Sequence, residues 1–194
     1  MSADEWDARY AGSARLFSAA ADASLVELVD LLEPGTALDV GAGEGRNSLW
    51  LAARGWTVTA ADISAVALDR LCDAAHEQGL DVQTQVRDVI LDVAAGATYD
   101  LVVVANLHVE PGERAQMFAG AAAAVAPGGQ LFVVGHHLDS LGIAGPPDPA
   151  RLYVEADAEG AFPGLQLDQV RRRADAASDT GDVGVDLVIW AHRP

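Results

Sequence analysis

Three observations predict a doubly wound α/β sheet. Short apolar stretches alternate with helical periods five times, a glycine-rich turn joins the first stretch to a helix, and two alternating stretches close the chain. Seven strands are expected in three layers, the last antiparallel to its neighbours. In such sheets ligands lie at the carboxyl ends of the strands near the topological switch point, so the strand-ending residues carry the functional information.

Within residues 19–32, Leu25, Leu28, Val29 and Leu32 recur at helical spacing, and Pro34-Gly35 ends the run. Residues 37–40 are a short buried strand that stops at Gly41. Residues 47–54 read as helix closed by Gly55, and 56–61 as a second strand ending at Asp62. Ser64 is a suitable N-cap for a helix over 66–78, with Leu68, Leu71, Cys72 and Ala75 on one face and Gly79 closing it. Residues 82–86 alternate as a more exposed strand, whereas 99–105, with Leu-Val-Val-Val, form a strand covered on both faces. Pro111 suits the first turn of a helix through Val125, and Pro127-Gly128-Gly129 reads as the following turn. A fifth buried strand covers 131–134, and a Gly/Pro-rich loop over 142–149 leads to a short helix near 154–160. Residues 165–171 and 185–191 make a terminal antiparallel pair separated by the polar segment 175–182.

The 194 residues fit one domain with a full-sized core, and 51% hydrophobic content excludes a disordered chain. No apolar run reaches the roughly 18–20 residues of a membrane span, and no basic-then-apolar leader opens the sequence, so a cytoplasmic protein is expected. A lone cysteine, Cys72, excludes an internal disulfide framework and a Cys-rich zinc module. With 29 acidic against 12 basic residues, all of the latter arginine, the formal charge is −17. Such a field repels nucleic acid and favours solubility. A small-molecule substrate, no nucleic-acid or membrane partner, and a monomer or homodimer are expected.

The segment Leu38-Asp39-Val40-Gly41-Ala42-Gly43-Glu44-Gly45-Arg46-Asn47 follows a strand and opens a helix. Its glycines allow a sharp turn and close approach to a ligand, and the helix start favours an anion. Asp62 ends the next strand, about 20 residues on, where an acid accepts hydrogen bonds from a ribose diol. Its alternative is helix capping beside Ser64; loop and acid together favour a nucleoside ligand. Arg46 stands where a dinucleotide fingerprint places its last glycine, which disfavours the close helix–strand packing of NAD enzymes.

Residues 38–47, Asp62, 99–105 and Ala126-Pro127-Gly128-Gly129 together resemble the successive motifs of class I S-adenosylmethionine-dependent methyltransferases. The chain is most similar to the small tellurite-resistance-type and actinobacterial branch, through Trp6-Asp7-Ala8-Arg9-Tyr10 and Gly43-Glu44-Gly45-Arg46-Asn47-Ser48. Ala42 stands where that branch often has Cys. The resemblance implies a Rossmann-like methyltransferase sheet, S-adenosyl-L-methionine as cofactor, S-adenosyl-L-homocysteine as product, and in-line methyl transfer to a small acceptor. Residues 1–18 are then an N-terminal lid segment and 136–163 a substrate-side loop with a short helix. Asp39, Gly41, Ala42, Gly43, Arg46 and Asn47 would surround the methionine part, and Asp62 the ribose. Ile63 would pack on the adenine, and Arg87, Asp88 and Val89 would meet its edge. Ala105 and Asn106 would line the same crevice. Two rival readings are a non-catalytic module that binds the same cofactor and an NAD-dependent reductase.

Asn106 and His108 follow the fourth strand, where the substrate-facing motif falls, and His108 is the candidate base because imidazole titrates near neutrality. His136 and His137 end the fifth strand, one side chain to each face; a shared metal is rejected and one of the two is placed at the substrate pocket. Trp6, Arg9 and Tyr10 share a face at helical spacing and form a candidate aromatic lid. Arg171-Arg172-Arg173 alternates along a solvated edge strand, and Cys72, on an apolar helix face, is expected to be inert.

Overall fold

A computed structural model describes residues 1–174 and 183–194. The predicted connection over 175–182 lies outside the described residues. One sheet has the order β3-β2-β1-β4-β5-β7-β6, built from β1 (Thr36–Val40), β2 (Thr57–Asp62), β3 (Val82–Val86), β4 (Tyr99–Ala105), β5 (Val125–His136), β6 (Gln166–Ala174) and β7 (Val185–His192). β1 to β5 pair in parallel, and β7 inserts antiparallel between β5 and β6. The chain winds outward from β1 through β2 to β3 and then returns to β4 on the other side of β1. The switch point therefore lies between β1 and β4.

Strand alternation divides the core in two. Ala37, Val58, Leu101, Val103, Phe132, Val134 and Val188 pack on Leu25 and Val29 of α2 (Ala23–Val29) and Leu51 of α3 (Arg46–Ala52). Ala60 continues that face against Leu68 and Leu71 of α4 (Ala65–Gln78). On the opposite face Leu38, Val102, Val104, Leu131, Val133, Leu187 and Ile189 meet Met117, Phe118, Ala121 and Ala122 of α5 (Pro111–Ala123). A further helix, α1 (Ala3–Ala11), closes its first turn with a capping box between Ser2 and Glu5. Among the described residues no helix is long and apolar enough to cross a membrane.

Several boundaries differ from the sequence expectation. The helix expected over 19–32 shrinks to α2, because Asp22 bonds Ser24 and Leu25 N–H and starts it late. Pro127-Gly128-Gly129 is a kink inside β5 rather than a turn before it. Pairing with β4 holds at Val125 and resumes at Gln130, and a Cβ on Gly129 would lie 3.0 Å from the Tyr99 and Asp100 carbonyls. The helix expected near 154–160 is a 3₁₀ turn, Glu155–Ala158. Cys72 is exposed, not on the buried face. It sits one step round α4 from Leu71, its sulfur 3.5 Å from Thr84 Oγ1 on the edge strand β3.

The segment that follows β5 is fastened by Tyr153. Its fully buried ring lies where a Cβ on Gly135 would be, and its hydroxyl donates to Leu107 O at 2.8 Å. Gly135→Ala would overlap ring carbons Cδ2 and Cε2, so either the strand or the loop must shift. The expected cost is about 1–3 kcal/mol, a fall in thermal midpoint of about 2–12 °C for a chain of this size. Calorimetric unfolding checks this; an unchanged midpoint would show that the ring is free to move aside.

Candidate functional site

The turn after β1 crosses the end of β2, with Gly41 and Ala42 N–H both donating to Ala61 O at 2.8 and 3.1 Å. Gly41, Gly43 and Gly45 hold φ of +71°, +55° and +79°, values that side chains disfavour. The same glycines let the loop pack closely against the protein's own side chains. A Cβ on Gly43 would lie 2.8 Å from the Tyr10 hydroxyl, and one on Gly45 would overlap Leu71. Asn47 is buried beneath the loop and accepts from Asp22 N–H at 3.0 Å, which ties α2 to α3.

Three polar groups converge at the switch point from the ends of β1, β2 and β4. Asp39 is 2% exposed and accepts from Ser48 Oγ at 2.6 Å. Burial pushes its carboxyl up to about 6, against the opposing pull of Ser48 and the Arg46 guanidinium. Asp62, also buried and also raised by burial, accepts from Gly43 N–H and Ser64 N–H, one on each oxygen, both at 2.8 Å. It thus serves the capping region and the glycine loop together. Asn106 has φ of +56°, a strained conformation for a non-glycine residue, and its Oδ1 is buried without a hydrogen-bond partner among the described residues. Ala105 precedes it, half-buried.

Above this ring lies α1. Asp7 Oδ1 accepts from Ser64 Oγ at 2.5 Å and Val66 N–H at 3.2 Å, docking α1 on the start of α4. Tyr10 is 4% exposed and Trp6 half-buried, their ring centroids 5.9 Å apart. Burial, followed by the carboxylates of Asp62 and Glu44, raises the Tyr10 hydroxyl well above its ordinary range. Arg9 is exposed and stacks over Trp6 at 4.8 Å instead of reaching the loop. The segment after α1 is held by Glu44, which accepts from Leu16 N–H at 2.9 Å and Arg70 Nη1 at 3.0 Å; Arg70 also donates to Ser13 O. Sequence reasoning gave no role to Asp7, Glu44 or Arg70. The available signals were Asp7, inside the Trp6-to-Tyr10 motif, and Glu44, inside the Gly43-to-Ser48 motif.

After β3, Arg87 N–H donates to Asp62 O, which draws that loop toward the end of β2. Asp88 is half-buried and uses Oδ1 to accept from Ile90 N–H at 3.0 Å, leaving Oδ2 without a bond among the described residues. Ile63 is half-buried beside them, whereas Val89 packs into the core at 5% exposure.

His108 follows Asn106. Its Nδ1 lies 3.1 Å from Arg151 O and its Nε2 receives the His136 N–H at 3.4 Å, so Nδ1 carries the proton. Burial pushes this imidazole down to about 4. The ring is neutral at pH 7 with both nitrogens engaged, and it stacks on His136 with centroids 5.2 Å apart. His136 and His137 diverge as strand geometry requires. His136 Nδ1 meets Asp186 Oδ1 at 2.9 Å, while His137, 2% exposed, is held by Glu155 and Asp139 N–H. The three consecutive arginines alternate as expected. Arg171 and Arg173 pair with Glu27 of α2, and Arg172 pairs with Asp139 and Glu155.

The sheet order, the antiparallel β7 and the glycine loop at the switch point define the fold of class I S-adenosylmethionine-dependent methyltransferases. Residues 37–129 match the family model of the methyltransferase domain, a span running from β1 to the kink in β5. The chain is 32% identical over 95 residues to a ubiquinone biosynthesis O-methyltransferase of Coxiella burnetii, covering 49% of this chain and 41% of that enzyme. It thus matches less than half the length of that curated relative. A structure solved in work on the conversion of a disulfide bond into a thioacetal group during echinomycin biosynthesis superposes with a TM-score of 0.81, at 21% identity over 98% of this chain and 91% of that one. TehB from Haemophilus influenzae gives 0.76, at 17% identity over 97% of this chain and 67% of that one.

Proposed function

We propose that this protein is an S-adenosylmethionine-dependent methyltransferase acting on a small-molecule acceptor. The observation that carries this reading is the ring at the switch point: two buried carboxylates and an unpartnered amide oxygen around a left-handed glycine loop. These groups fit the cofactor's chemistry. Asp39 offers negative charge to its cationic methionine end. Asp62 retains a lone pair on each oxygen for ribose hydroxyls after its two backbone bonds. Ile63 and the free oxygen of Asp88 face the adenine, and the strained turn of Ala105 and Asn106 presents a polar edge toward the acceptor. Arg46, Asn47 and Arg87 act by holding the carboxylates and loops in place, and Val89 by packing beneath them.

When bound, the cofactor supplies the electrophilic methyl group and its own leaving group, so the protein's task is alignment and exclusion of water. Tyr10 and Trp6 on α1 perform the second, with Asp7 as the latch on Ser64. His108 is assigned to holding the substrate-side loop, because a neutral ring bonded at both nitrogens has no site for a further proton.

The Trp6-to-Tyr10 and Gly43-to-Ser48 motifs support placement in the tellurite-resistance-type branch, and the net charge of −17 supports an acceptor other than nucleic acid. A cytoplasmic monomer or homodimer completes the proposal. Isothermal titration with S-adenosylmethionine and S-adenosylhomocysteine tests the reading, with saturable binding expected. Absence of binding by both at about 1 mM, the weak end of specific recognition, would sink it.

A further inference from the structure

Building on the methyltransferase reading, we propose that His136 is the proton acceptor of the reaction, that Asp186 positions it, and that the acceptor molecule is a neutral nucleophile carrying its own proton, a hydroxyl or thiol. His136 ends β5 at the carboxyl edge of the sheet, one strand beyond Asn106. Its partner strand β7 runs antiparallel, and the register sets Asp186 directly opposite. The Nδ1–Oδ1 distance of 2.9 Å fixes the proton on Nδ1 and leaves Nε2 as the lone-pair nitrogen. Among the described residues nothing bonds Nε2. The imidazole is 20% exposed and Asp186 10%, so the pair combines a held orientation with access for a ligand.

The neighbouring residues suit this role. Gly145 passes over the ring edge next to Nε2: a Cβ there would lie 2.8 Å from His136 Cδ2, and the residue holds φ of +81°. Only a residue without a side chain lets the 142–149 loop lie this close to the ring. His108 stacks flat on the ring from the β4 side and uses its Nε2 to receive the His136 backbone N–H. The ionisable groups acting on this corner are Asp186 from β7, Arg173 set opposite it on β6 and bonded to Ser24, His108 and, behind it, Arg114 of α5, and Asp22 with Arg46 at the starts of α2 and α3. A lone-pair nitrogen held at the crevice serves a neutral acceptor whose proton must be removed, and has nothing to take from one already anionic, such as a halide or oxyanion.

The proton balance is simple. As the acceptor's oxygen or sulfur takes the methyl group, its O–H or S–H electrons remain on that atom and the proton passes to His136 Nε2. The electron pair of the opened C–S bond stays on the departing thioether sulfur. The resulting imidazolium is stabilised by Asp186 and returns its proton to water.

The experiment uses the full chain, with catechol and 2-mercaptoethanol as protic probes and iodide as the aprotic anion, and reads release of S-adenosylhomocysteine. Titration with S-adenosylhomocysteine accompanies each variant. Expected are turnover of a protic probe, a His136→Gln variant at least 100-fold slower, in keeping with the worth of a positioned base, and product affinity within twofold of the parent. Asp186→Asn should slow turnover, move the acidic limb of the pH–rate profile to lower pH, and mix the His136 tautomers in ¹⁵N spectra of the product complex. Those spectra should show Nδ1–H alone in the parent. His136→Gln turning over within threefold of the parent would overturn the assignment. So would turnover of iodide alone, or product binding with neither protic probe consumed. Loss of product binding by the parent would instead overturn the methyltransferase reading beneath it.

Discussion

Asp62→Ala is expected to weaken binding of S-adenosylhomocysteine by at least about tenfold, or 1.4 kcal/mol. Two losses combine. The first is the proposed pair of ribose hydrogen bonds; charge-assisted bonds of this kind are worth roughly 1.5–3 kcal/mol each when net. The second is local to the protein: Gly43 N–H and Ser64 N–H lose their common acceptor, so the glycine loop and the start of α4 lose their link. Because α1 docks on Ser64 and Tyr10 packs on Gly43, α1, the proposed lid, is loosened with them. Asp62→Asn separates the two contributions. The amide keeps one acceptor for the backbone while losing charge and one lone-pair oxygen, so its affinity should fall between that of the parent and the alanine variant. Titration calorimetry reads both, with thermal unfolding to confirm that each variant folds. An unchanged affinity in Asp62→Ala would remove this residue from the ribose site.

What could be seen in the sequence was what is encoded within some twenty residues. The run from Leu38 to Asn47 is local: an apolar strand, glycines in left-handed turns and a helix start, all fixed by short-range sterics. Asp62 was legible for the same reason, since a βαβ unit sets its distance from the loop. Ser64 as N-cap and Gly79 as the left-handed stop of α4 are likewise local rules that held. Pro127-Gly128-Gly129 shows the limit. Its residues spell a turn, yet the backbone at Gly129 passes so close to Tyr99 and Asp100 that the segment stays in the sheet.

The rest depended on contacts distant in sequence. Asp7 lies 57 residues from Ser64, and Asp186 lies 50 from His136. No periodicity announces such pairs; the first needs α1 laid across α4, the second the register of β5 with β7. The same holds for His108. Its position suggested a base, but its state is set by burial, by His136 brought beside it through the pairing of β4 with β5, and by Arg151, which reaches it only after the 142–153 segment folds back. Cys72 failed differently. A helical stripe has margins, and which marginal residue is buried depends on what lies beyond the edge of the sheet; among the described residues no strand lies beyond β3.

Asp39→Asn should raise stability and lower cofactor affinity at once. The carboxyl of Asp39 is raised from 3.8 to about 6 because burial penalises its charge. A group whose folded pKa lies above its unfolded value binds protons more tightly in the native state. Its stabilising effect is full below the unfolded value and is lost as pH rises through the folded one. Ionised Asp39 therefore costs the folded protein stability from about pH 6 upward. Asparagine keeps an oxygen for the Ser48 hydroxyl, now 2.6 Å from Oδ2, and carries no charge to desolvate. Above pH 7 the variant should be more stable by about 1–3 kcal/mol, and the advantage should vanish between pH 6 and 4. Affinity should move the other way, by about tenfold, because the charge so expensively buried is the one assigned to the cationic methionine end. Unfolding midpoints from pH 4 to 8, with calorimetric titration of S-adenosylmethionine at pH 7.5, check both halves. A stability gain independent of pH would mean that desolvation of this carboxylate is not its source. A gain with undiminished affinity would mean that the buried charge serves some purpose other than the cofactor.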